Sequence, residues 1–250
     1  MSSNTFDYYA EIYDAFYLEK DYVGECKNLI QIAKSLNGNL RVALEVGSGT
    51  GALTKELSKK MVHIEAYELS PRMAEICSGN TSDLSNVKVN LGGLTQILNS
   101  TVNRGSTDLV VANFHVFSYF TDFEVTQFVE VCNCFLRSGG VVAFDFWDLK
   151  AVLSSPPAVV RKVAPHSGKE ITRYTKPESR SDSREIKVKF EFYDQSKLLF
   201  QETHVMFPRT LDEVKGYFDG DFQFCGSYEI ESGAVYSPNK YGNFVFFQKI

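Results

Sequence analysis

The residues best suited to chemistry lie in one short segment near the start of the chain, EVGSGTG at 45–51. An apolar run ends there in Glu45. Glycines then follow at alternate positions, which are Gly47, Gly49 and Gly51. This pattern is typical of a buried parallel strand, a tight turn beneath a ligand and the first turn of a helix. The glycines indicate a polar ligand, and the Glu45 carboxylate favours a cationic one.

Two cofactors fit the spacing of this turn. Gly47, Gly49 and Ala52 satisfy the dinucleotide pattern G-x-G-x-x-G/A, but a pyrophosphate at the helix N-terminus would lie beside the Glu45 carboxylate. S-adenosylmethionine (SAM) has no phosphate and carries a sulfonium and an ammonium, which a carboxylate stabilises. Glu68, at the end of the next predicted strand, suits ribose hydroxyls in either case. We therefore expect SAM as the cofactor, with a nicotinamide dinucleotide as the alternative.

Candidate acceptor-binding residues follow the later predicted strands. His115 comes just after the predicted strand at 108–113 and can act as a general base near neutral pH, or it can simply hydrogen-bond the loop backbone. Tyr119 follows in the same loop. Trp147 ends another predicted strand, where an indole ring suits a sugar platform or a packing role. Alternation in QETHVMF places His204 on one face of a predicted strand. If that face covers the pocket, His204 contacts the substrate; if it does not, His204 is exposed to solvent.

Tyrosines recur near the N-terminus, and Tyr9, Tyr13 and Tyr17 have a helical spacing of four. This stripe is explained by packing of a helix on the domain. For Tyr17 and Tyr22 we favour a second role, in a lid that closes over the methionine end of SAM.

These residues need a framework of alternating strands and helices. Strands are expected at about 40–46, 63–69, 87–91, 108–113 and 141–147, and helices at 21–36, 51–60, 71 onward and 122–136. This order predicts a Rossmann-like, doubly wound α/β sheet of seven strands, with ligands at the C-terminal ends of the strands. After Trp147, four segments with period-two alternation predict an antiparallel β insertion, followed by a helix at 210–218 and two terminal strands.

The expected organisation has four parts. An N-terminal helical lid spans 1–38, and the cofactor-binding core spans 39–148. The β insertion at 149–209 is expected to cap the substrate and to offer a dimer contact. A C-terminal helix and β-hairpin at 210–250 complete the core.

Composition excludes several other classes. The formal charge of −5 over 250 residues, without a basic stripe, argues against a nucleic-acid partner. Five cysteines without a C-x-x-C pair indicate neither a disulfide framework nor a zinc site, and no carboxylate cluster suggests a metal. The sequence contains no apolar stretch long enough to span a bilayer and no leader, so we expect a cytoplasmic protein without a membrane partner.

Beyond these patterns, the chain resembles class I SAM-dependent methyltransferases in LEVGSGTG, YELS, LRSGG and the terminal hairpin. IYDAFYLEKDY, NFHVFSYF, FDFW and ETHVMF resemble more closely the bacterial small-molecule group that includes N,N-dimethyltransferases of nucleotide-linked amino sugars. The resemblance implies a cofactor site formed by Tyr17, Tyr22, Glu45, Gly47, Ser48, Gly49, Glu68, Leu69, Met73, Gly93, Leu94 and Asn113. It implies His115 as the catalytic residue, and Tyr119, Trp147, His204 and Tyr241 as substrate-binding residues.

One position departs from the family pattern. Many relatives carry G-D-M after strand three, with the Asp on the adenine amino group, whereas this chain has Gly92-Gly93-Leu94. Adenine is then expected to contact the backbone around Gly93 and Leu94, or another side chain.

The resemblance implies methyl transfer to a small acceptor, with an amine of a nucleotide-linked amino sugar as the leading expectation. O-methylation of a sugar or another hydroxyl is the alternative within the same fold. A SAM-binding regulator without catalysis is the alternative from another class.

Overall fold

A seven-stranded sheet and a separate four-stranded sheet form the β-structure of residues 6, 8–179, 184–236 and 242–250, the part of the chain that this computed structural model describes. In chain order the strands are β1 (Val42–Val46), β2 (His63–Glu68), β3 (Val87–Leu91), β4 (Thr107–Ala112), β5 (Leu136–Trp147), β6 (Val160–His166), β7 (Lys169–Ser179), β8 (Ile186–Asp194), β9 (Lys197–Met206), β10 (Phe222–Tyr228) and β11 (Gly242–Lys249).

Helices connect most of these strands. They are α1 (Ala10–Tyr13), α2 (Tyr22–Leu36), α3 (Ala52–Ser58), α4 (Pro71–Asn80), α5 (Leu94–Leu98), α6 (Asp122–Phe135), α7 (Leu149–Ser154) and α8 (Leu211–Phe218), with 3₁₀ turns at Asp14–Tyr17 and Val116–Tyr119. Side chains cap the N-termini of several helices, and the Ser70 hydroxyl before Pro71 accepts from the Met73 N–H. Within the described residues, no helix is both long and apolar enough to cross a membrane.

The main sheet has the strand order β10-β11-β5-β4-β1-β2-β3. Strands β1 to β5 pair in parallel, and β11 lies antiparallel between β5 and β10. The predicted fold class, a Rossmann-like seven-stranded sheet with an antiparallel insertion, is confirmed. The C-terminal ends of β1, β2, β4 and β5 meet at one edge, and the candidate residues follow these ends.

Helices cover both faces of the main sheet. On one face, α6 and α8 pack Phe128 and Phe218 against Phe144 of β5. On the other face, α2 and α3 pack Leu29 and Leu57 against the strands. Val23, in the first turn of α2, is 60 % exposed.

The four-stranded sheet, in the order β6-β7-β8-β9, is named here the cap sheet. Its inner face packs Ile171 and Phe192 against Tyr9, Ile12 and Phe16 of the N-terminal segment. The region expected as the N-terminal lid therefore has two parts. Helix α2 belongs to the main-sheet layers, whereas apolar side chains among the described residues from Phe6 to Tyr17 pack against the cap sheet.

The structure differs from the sequence expectation at several element boundaries. Strand β5 begins at Leu136, before the expected start at 141, because Leu136 pairs with Thr107 ahead of an irregularity in the register. Helices α5 and α7 were not predicted, since five or six residues are too few for periodicity to show. The N-terminal tyrosine spacing extends over α1 and a 3₁₀ turn rather than one continuous helix.

Candidate active site

A cavity of about 670 Å³ is lined by the C-terminal edge of the main sheet, the N-terminal segment and the inner face of the cap sheet. It brings together every described residue of the expected site: Tyr17, Tyr22, Glu45, Gly47, Ser48, Gly49, Glu68, Leu69, Met73, Gly93, Leu94, Asn113, His115, Tyr119, Trp147 and His204. Tyr241, the remaining candidate, and the neighbouring Lys240 lie outside the described residues.

Four backbone N–H groups of the glycine turn after β1 donate hydrogen bonds to acceptors within the protein. The N–H groups of Gly47 and Ser48 donate to the Tyr67 carbonyl at 2.8 and 3.0 Å. The Gly49 N–H donates to Oε2 of Glu68 at 2.8 Å, and the Gly51 N–H donates to the Ser48 carbonyl at 3.0 Å. A pyrophosphate would need free amides at this turn, so the hydrogen bonding disfavours a dinucleotide and is compatible with SAM.

Two buried carboxylates flank the turn. Glu45 accepts a 2.7 Å hydrogen bond from the Thr54 hydroxyl. Burial raises the pKa of Glu45 to about 7, the Thr54 hydrogen bond opposes this rise, and the charge of Glu68 adds to it. The group is therefore poised to ionise near neutral pH, and a cation in the cavity would favour the carboxylate.

Glu68 is held by backbone donors at the end of β2. Its two oxygens accept from the N–H groups of Gly49, at 2.8 Å, and Ser70, at 2.9 Å. Burial raises the pKa of Glu68 against the lowering effect of these hydrogen bonds. Each carboxylate oxygen keeps a further lone pair, so Glu68 can still accept from ribose hydroxyls while it fixes the glycine turn.

The segment after β3 carries the backbone groups that were one expected partner of adenine. The Gly93 N–H donates to Oε1 of Gln96 at 2.9 Å, so this backbone group already has a partner. Leu94 is the first residue of α5, and Gln96 also lines the cavity. Gln96 was not among the expected site residues, and its side-chain amide lies beside Gly93, the position where many relatives carry the Asp.

His115 has a left-handed backbone, with φ of 67°, at the start of the 3₁₀ turn after β4. Asp145 of β5 holds it: Oδ1 accepts from the His115 N–H at 2.8 Å, and Oδ2 lies 2.7 Å from Nδ1. The second contact does not count as a hydrogen bond, so Nδ1 has no hydrogen-bond partner among the described residues. With Nδ1 facing Asp145, Nε2 is the ring nitrogen left for a ligand.

His204 is almost fully buried, with 1 % of its surface exposed, and so is not a surface histidine. Its Nδ1 lies 2.8 Å from the Tyr119 hydroxyl, and its Nε2 lies 3.1 Å from Oε2 of Glu202. Both ring nitrogens are therefore engaged. This arrangement suits His204 to orienting Tyr119 better than to exchanging protons with a ligand.

Aromatic rings form much of the wall between the two ends of the cavity. The tilted rings of Tyr13 and Tyr17 have centroids 4.7 Å apart, and Tyr17 meets Phe114 edge-on at 4.9 Å. Trp147 lies 6.1 Å from the His115 ring. Tyr9, expected to be a packing residue, is buried but also lines the cavity; Tyr8 is 73 % exposed.

Alternation with Phe144 and Phe146 directs Asp145 towards the ligand edge, whereas three polar residues of the cap sheet that line the cavity were not expected at the site. Asp145 lies behind His115, and Lys162, Arg173 and Thr175 line the cavity from the cap sheet. Alternation in EITRYT could have indicated the last two, because it places Arg173 and Thr175 on the same face of β7 as the buried Ile171.

Comparison with known proteins agrees with this geometry. Residues 43–140 match the family described as a methyltransferase domain. A malonyl-[acyl-carrier protein] O-methyltransferase from Halalkalibacterium halodurans is 30 % identical over 107 residues, which are 42 % of this chain and 38 % of that protein. The chain thus matches about two fifths of the length of this curated relative.

Solved structures of similar fold cover nearly the whole chain. A SAM-dependent methyltransferase from Clostridium acetobutylicum superimposes with a TM-score of 0.78 at 19 % identity, over 98 % of this chain and 99 % of that one. An amino pentose methyltransferase from Micromonospora echinaspora gives a TM-score of 0.72 at 17 % identity, over 96 % and 97 %. A sugar N-methyltransferase from Streptoalloteichus gives 0.74 at 18 %, over 94 % and 92 %.

The fold and the family match together define the class of the domain. The main sheet has the fold of the solved SAM-dependent methyltransferase from Clostridium acetobutylicum, and residues 43–140 match a methyltransferase domain. The matched residues are those of a methyltransferase domain, which is an enzyme domain.

Proposed function

We propose that the whole protein is a SAM-dependent methyltransferase that methylates an amine of a small molecule, specifically the amino group of a nucleotide-linked amino sugar. The single observation that carries the proposal is the continuous cavity, which joins the glycine turn and Glu68 at one end to His115 and Tyr119 at the other. A domain that only bound SAM would not need an acceptor chamber beside the cofactor site.

The residues at the cofactor end fit the chemistry of SAM. SAM supplies an electrophilic methyl group on a sulfonium. Glu68 and the glycine turn hold the nucleoside part, and Glu45 contributes negative charge beside the turn. Tyr17 and Tyr22 close this part of the cavity and exclude water.

The acceptor end suits a nitrogen nucleophile. Methyl transfer needs alignment and an uncharged lone pair, and the product amine carries a proton that must leave. The rings of Tyr13, Phe114 and Trp147 stabilise positive charge on the nitrogen through cation–π attraction. Nε2 of His115 takes the proton while Asp145 holds the imidazole in place. Similarity to structures described as an amino pentose methyltransferase and a sugar N-methyltransferase supports the amine.

O-methylation of a sugar or another hydroxyl is the second candidate. The observation that favours it is the His115–Asp145 pair, since a hydroxyl nucleophile depends on a general base more strongly than an amine does.

We also propose roles for the remaining segments. The N-terminal residues up to about 21 act as the lid, and the cap sheet closes the acceptor end of the cavity. The outer face of the cap sheet is the surface through which two copies would form a dimer.

A transfer assay tests the proposal. The protein is incubated with SAM and matched pairs of sugar nucleotides that carry an amine or a hydroxyl at the same carbon, and S-adenosylhomocysteine and methylated product are measured by mass spectrometry. We expect product from the amine member of a pair. Product from hydroxyl members alone would establish the second candidate, and tight cofactor binding without any transfer across a broad acceptor panel would contradict both.

A further inference from the structure

Arg173 is a buried cation that no acidic side chain neutralises within the described residues. It lies on the inner face of β7 with 4 % of its surface exposed, and it lines the cavity. Four aromatic rings surround its guanidinium carbon at 4.9–5.7 Å, those of Tyr9, Phe16, Tyr17 and Phe190. These rings offset part of the cost of burial, but they supply no anion.

The hydrogen bonds of Arg173 leave one edge of the guanidinium unused. Nη1 donates to the hydroxyls of Tyr9 and Tyr17, the second at 3.1 Å. Nε is buried without a hydrogen-bond partner, and no bond from Nη2 is seen to any described residue. Nε and Nη2 form the edge that binds two oxygens of a carboxylate or phosphate side by side.

Two neighbouring groups extend this donor set. The Thr175 hydroxyl, two residues along the same face of β7, is also buried without a partner. Lys162 is the cross-strand neighbour of Arg173 on β6, lines the cavity, and places its Nζ 5.4 Å from the centre of the Tyr17 ring. Positive charge and unused donors thus converge on one part of the cap sheet.

The carboxylates that line the cavity or lie near this part of it are committed elsewhere. Glu202 accepts from the N–H groups of Phe6 and Tyr9 and contacts His204. Glu45 and Glu68 are bound to Thr54 and to backbone donors at the cofactor end, and Glu124 accepts from Thr121 at the start of α6. A purely structural arginine would use its buried donors within the protein, because an unsatisfied buried donor lowers stability.

We propose that Arg173, with Thr175 and Lys162, forms an anion subsite for the methyl acceptor, which must carry a carboxylate or a phosphate group. This inference rests on the proposed function, because it names the chemistry of the acceptor for the same cavity. The anion binds the Nε–Nη2 edge of Arg173 and accepts from the Thr175 hydroxyl, while Lys162 adds positive charge at the rim. An acceptor fixed at this end presents its nucleophile towards His115.

The test is calorimetry on the full chain saturated with S-adenosylhomocysteine, so that the cofactor end is filled. Acetate and inorganic phosphate are the probes, titrated at constant ionic strength against chloride. We expect saturable binding of at least one probe, about 10–100-fold weaker in Arg173→Gln and about 3–10-fold weaker in Thr175→Val, as expected for losing charged and neutral hydrogen bonds. Binding of acetate alone assigns a carboxylate acceptor, and binding of phosphate alone a phosphate; binding of both supports the shared anion chemistry.

Arg161→Gln is the matched control. It removes one positive charge from the position beside Lys162 on β6, where the side chain is exposed and does not line the cavity. This change should leave anion affinity unchanged. Lys162→Gln, at the exposed rim, gives a further variant if Arg173→Gln does not fold. Equal anion affinity in the wild type and in the folded cavity variants, or no saturable binding at all, would overturn the subsite. Failure of S-adenosylhomocysteine itself to bind would instead overturn the proposed function.

Discussion

Glu45 is a residue whose ionisation and ligand preference are linked. Its carboxyl is buried at the end of β1, and burial raises its pKa to about 7. A bound cation favours the carboxylate, so cation binding and deprotonation of Glu45 reinforce each other.

The first prediction is a pH dependence of SAM affinity. As pH falls from 8 through 7 to 6, Glu45 takes up a proton and the affinity should fall, by up to about tenfold per pH unit below the pKa. Glu45→Gln should bind SAM more weakly at pH 8 and show a flatter profile in calorimetry. Glu65→Gln, a buried carboxylate of β2 that does not line the cavity, serves as the control. Identical profiles in the wild type and Glu45→Gln would remove Glu45 from the cofactor site.

The same ionisation acts on the stability of the free protein. Because the folded-state pKa of Glu45 lies above the unfolded value, its contribution is present below about pH 4.5 and is lost as pH rises through about 7. Glu45→Gln should therefore melt at a higher temperature than the wild type at pH 8 without ligand, and the difference should shrink towards pH 5. Calorimetric melting without ligand at both pH values measures this, and a variant less stable at pH 8 contradicts it.

His115 separates the two candidate nucleophiles. His115→Gln keeps a hydrogen-bonding side chain, so an amine acceptor should lose only about 10–100-fold in rate, since water can take the proton. A hydroxyl acceptor should lose about 10²–10⁴-fold, because the base is removed. Single-turnover rates on both acceptor types decide between them, with His63→Gln, outside the cavity, as the control. Full activity of His115→Gln would assign the histidine to structure alone.

At the scale of elements, two glycines of the β1–α3 turn are expected to serve different purposes, one in stability and the other in cofactor binding. Gly47 has φ of +74°, and a Cβ there would meet Val116 at 2.6 Å, whereas a Cβ on Gly49, with φ of +57°, would meet nothing within 4 Å. Gly47→Ala should therefore lower the melting temperature markedly. Gly49→Ala should fold with a loss of about 1 kcal/mol but bind SAM more weakly, because its methyl enters ligand space. Equal effects of the two variants on both melting and calorimetry would contradict this division.

The N-terminal segment and the cap sheet are joined through Glu202, which accepts from the Phe6 and Tyr9 N–H groups at 3.1 and 3.2 Å. Glu202→Ala should loosen the segment, speed its proteolysis and raise KM for the acceptor about tenfold, the cost of one or two hydrogen bonds. Calorimetry of Glu202→Ala should show a smaller change in S-adenosylhomocysteine affinity than the change in KM. The control Glu170→Ala alters an exposed residue of β7 and should leave the proteolysis rate and KM unchanged. An unaltered proteolysis rate in Glu202→Ala would show that other contacts hold the segment.

The strands of both sheets were predictable from the sequence because their periodicity is local. The turn at Gly47 and the cap at Ser70 were likewise visible in residue type. The direction of Asp145 follows from alternation along β5, but its pairing with His115 and the role of Arg173 beside Tyr17 were not predictable, because these partners lie far apart along the chain. Gln96 was missed for another reason: α5 is too short to show a helical period, so the position of its side chain beside Gly93 could not be read from the sequence.

At the scale of the whole molecule, three parts of the chain enclose one cavity. The main sheet supplies the glycine turn and Glu68, the N-terminal segment supplies the tyrosines, and the cap sheet supplies His204 and Arg173. Under the proposed function, the main sheet holds the cofactor and the cap sheet contacts the acceptor.

The most direct test of the account is a comparison of cofactors by calorimetry on the full chain. We expect SAM and S-adenosylhomocysteine to bind in the micromolar range, on the order of −8 kcal/mol, and NAD to give no measurable heat. Glu68→Ala should weaken S-adenosylhomocysteine by about 1–3 kcal/mol, because ribose hydroxyls lose their acceptor. Binding of NAD without binding of SAM would contradict the account at its centre.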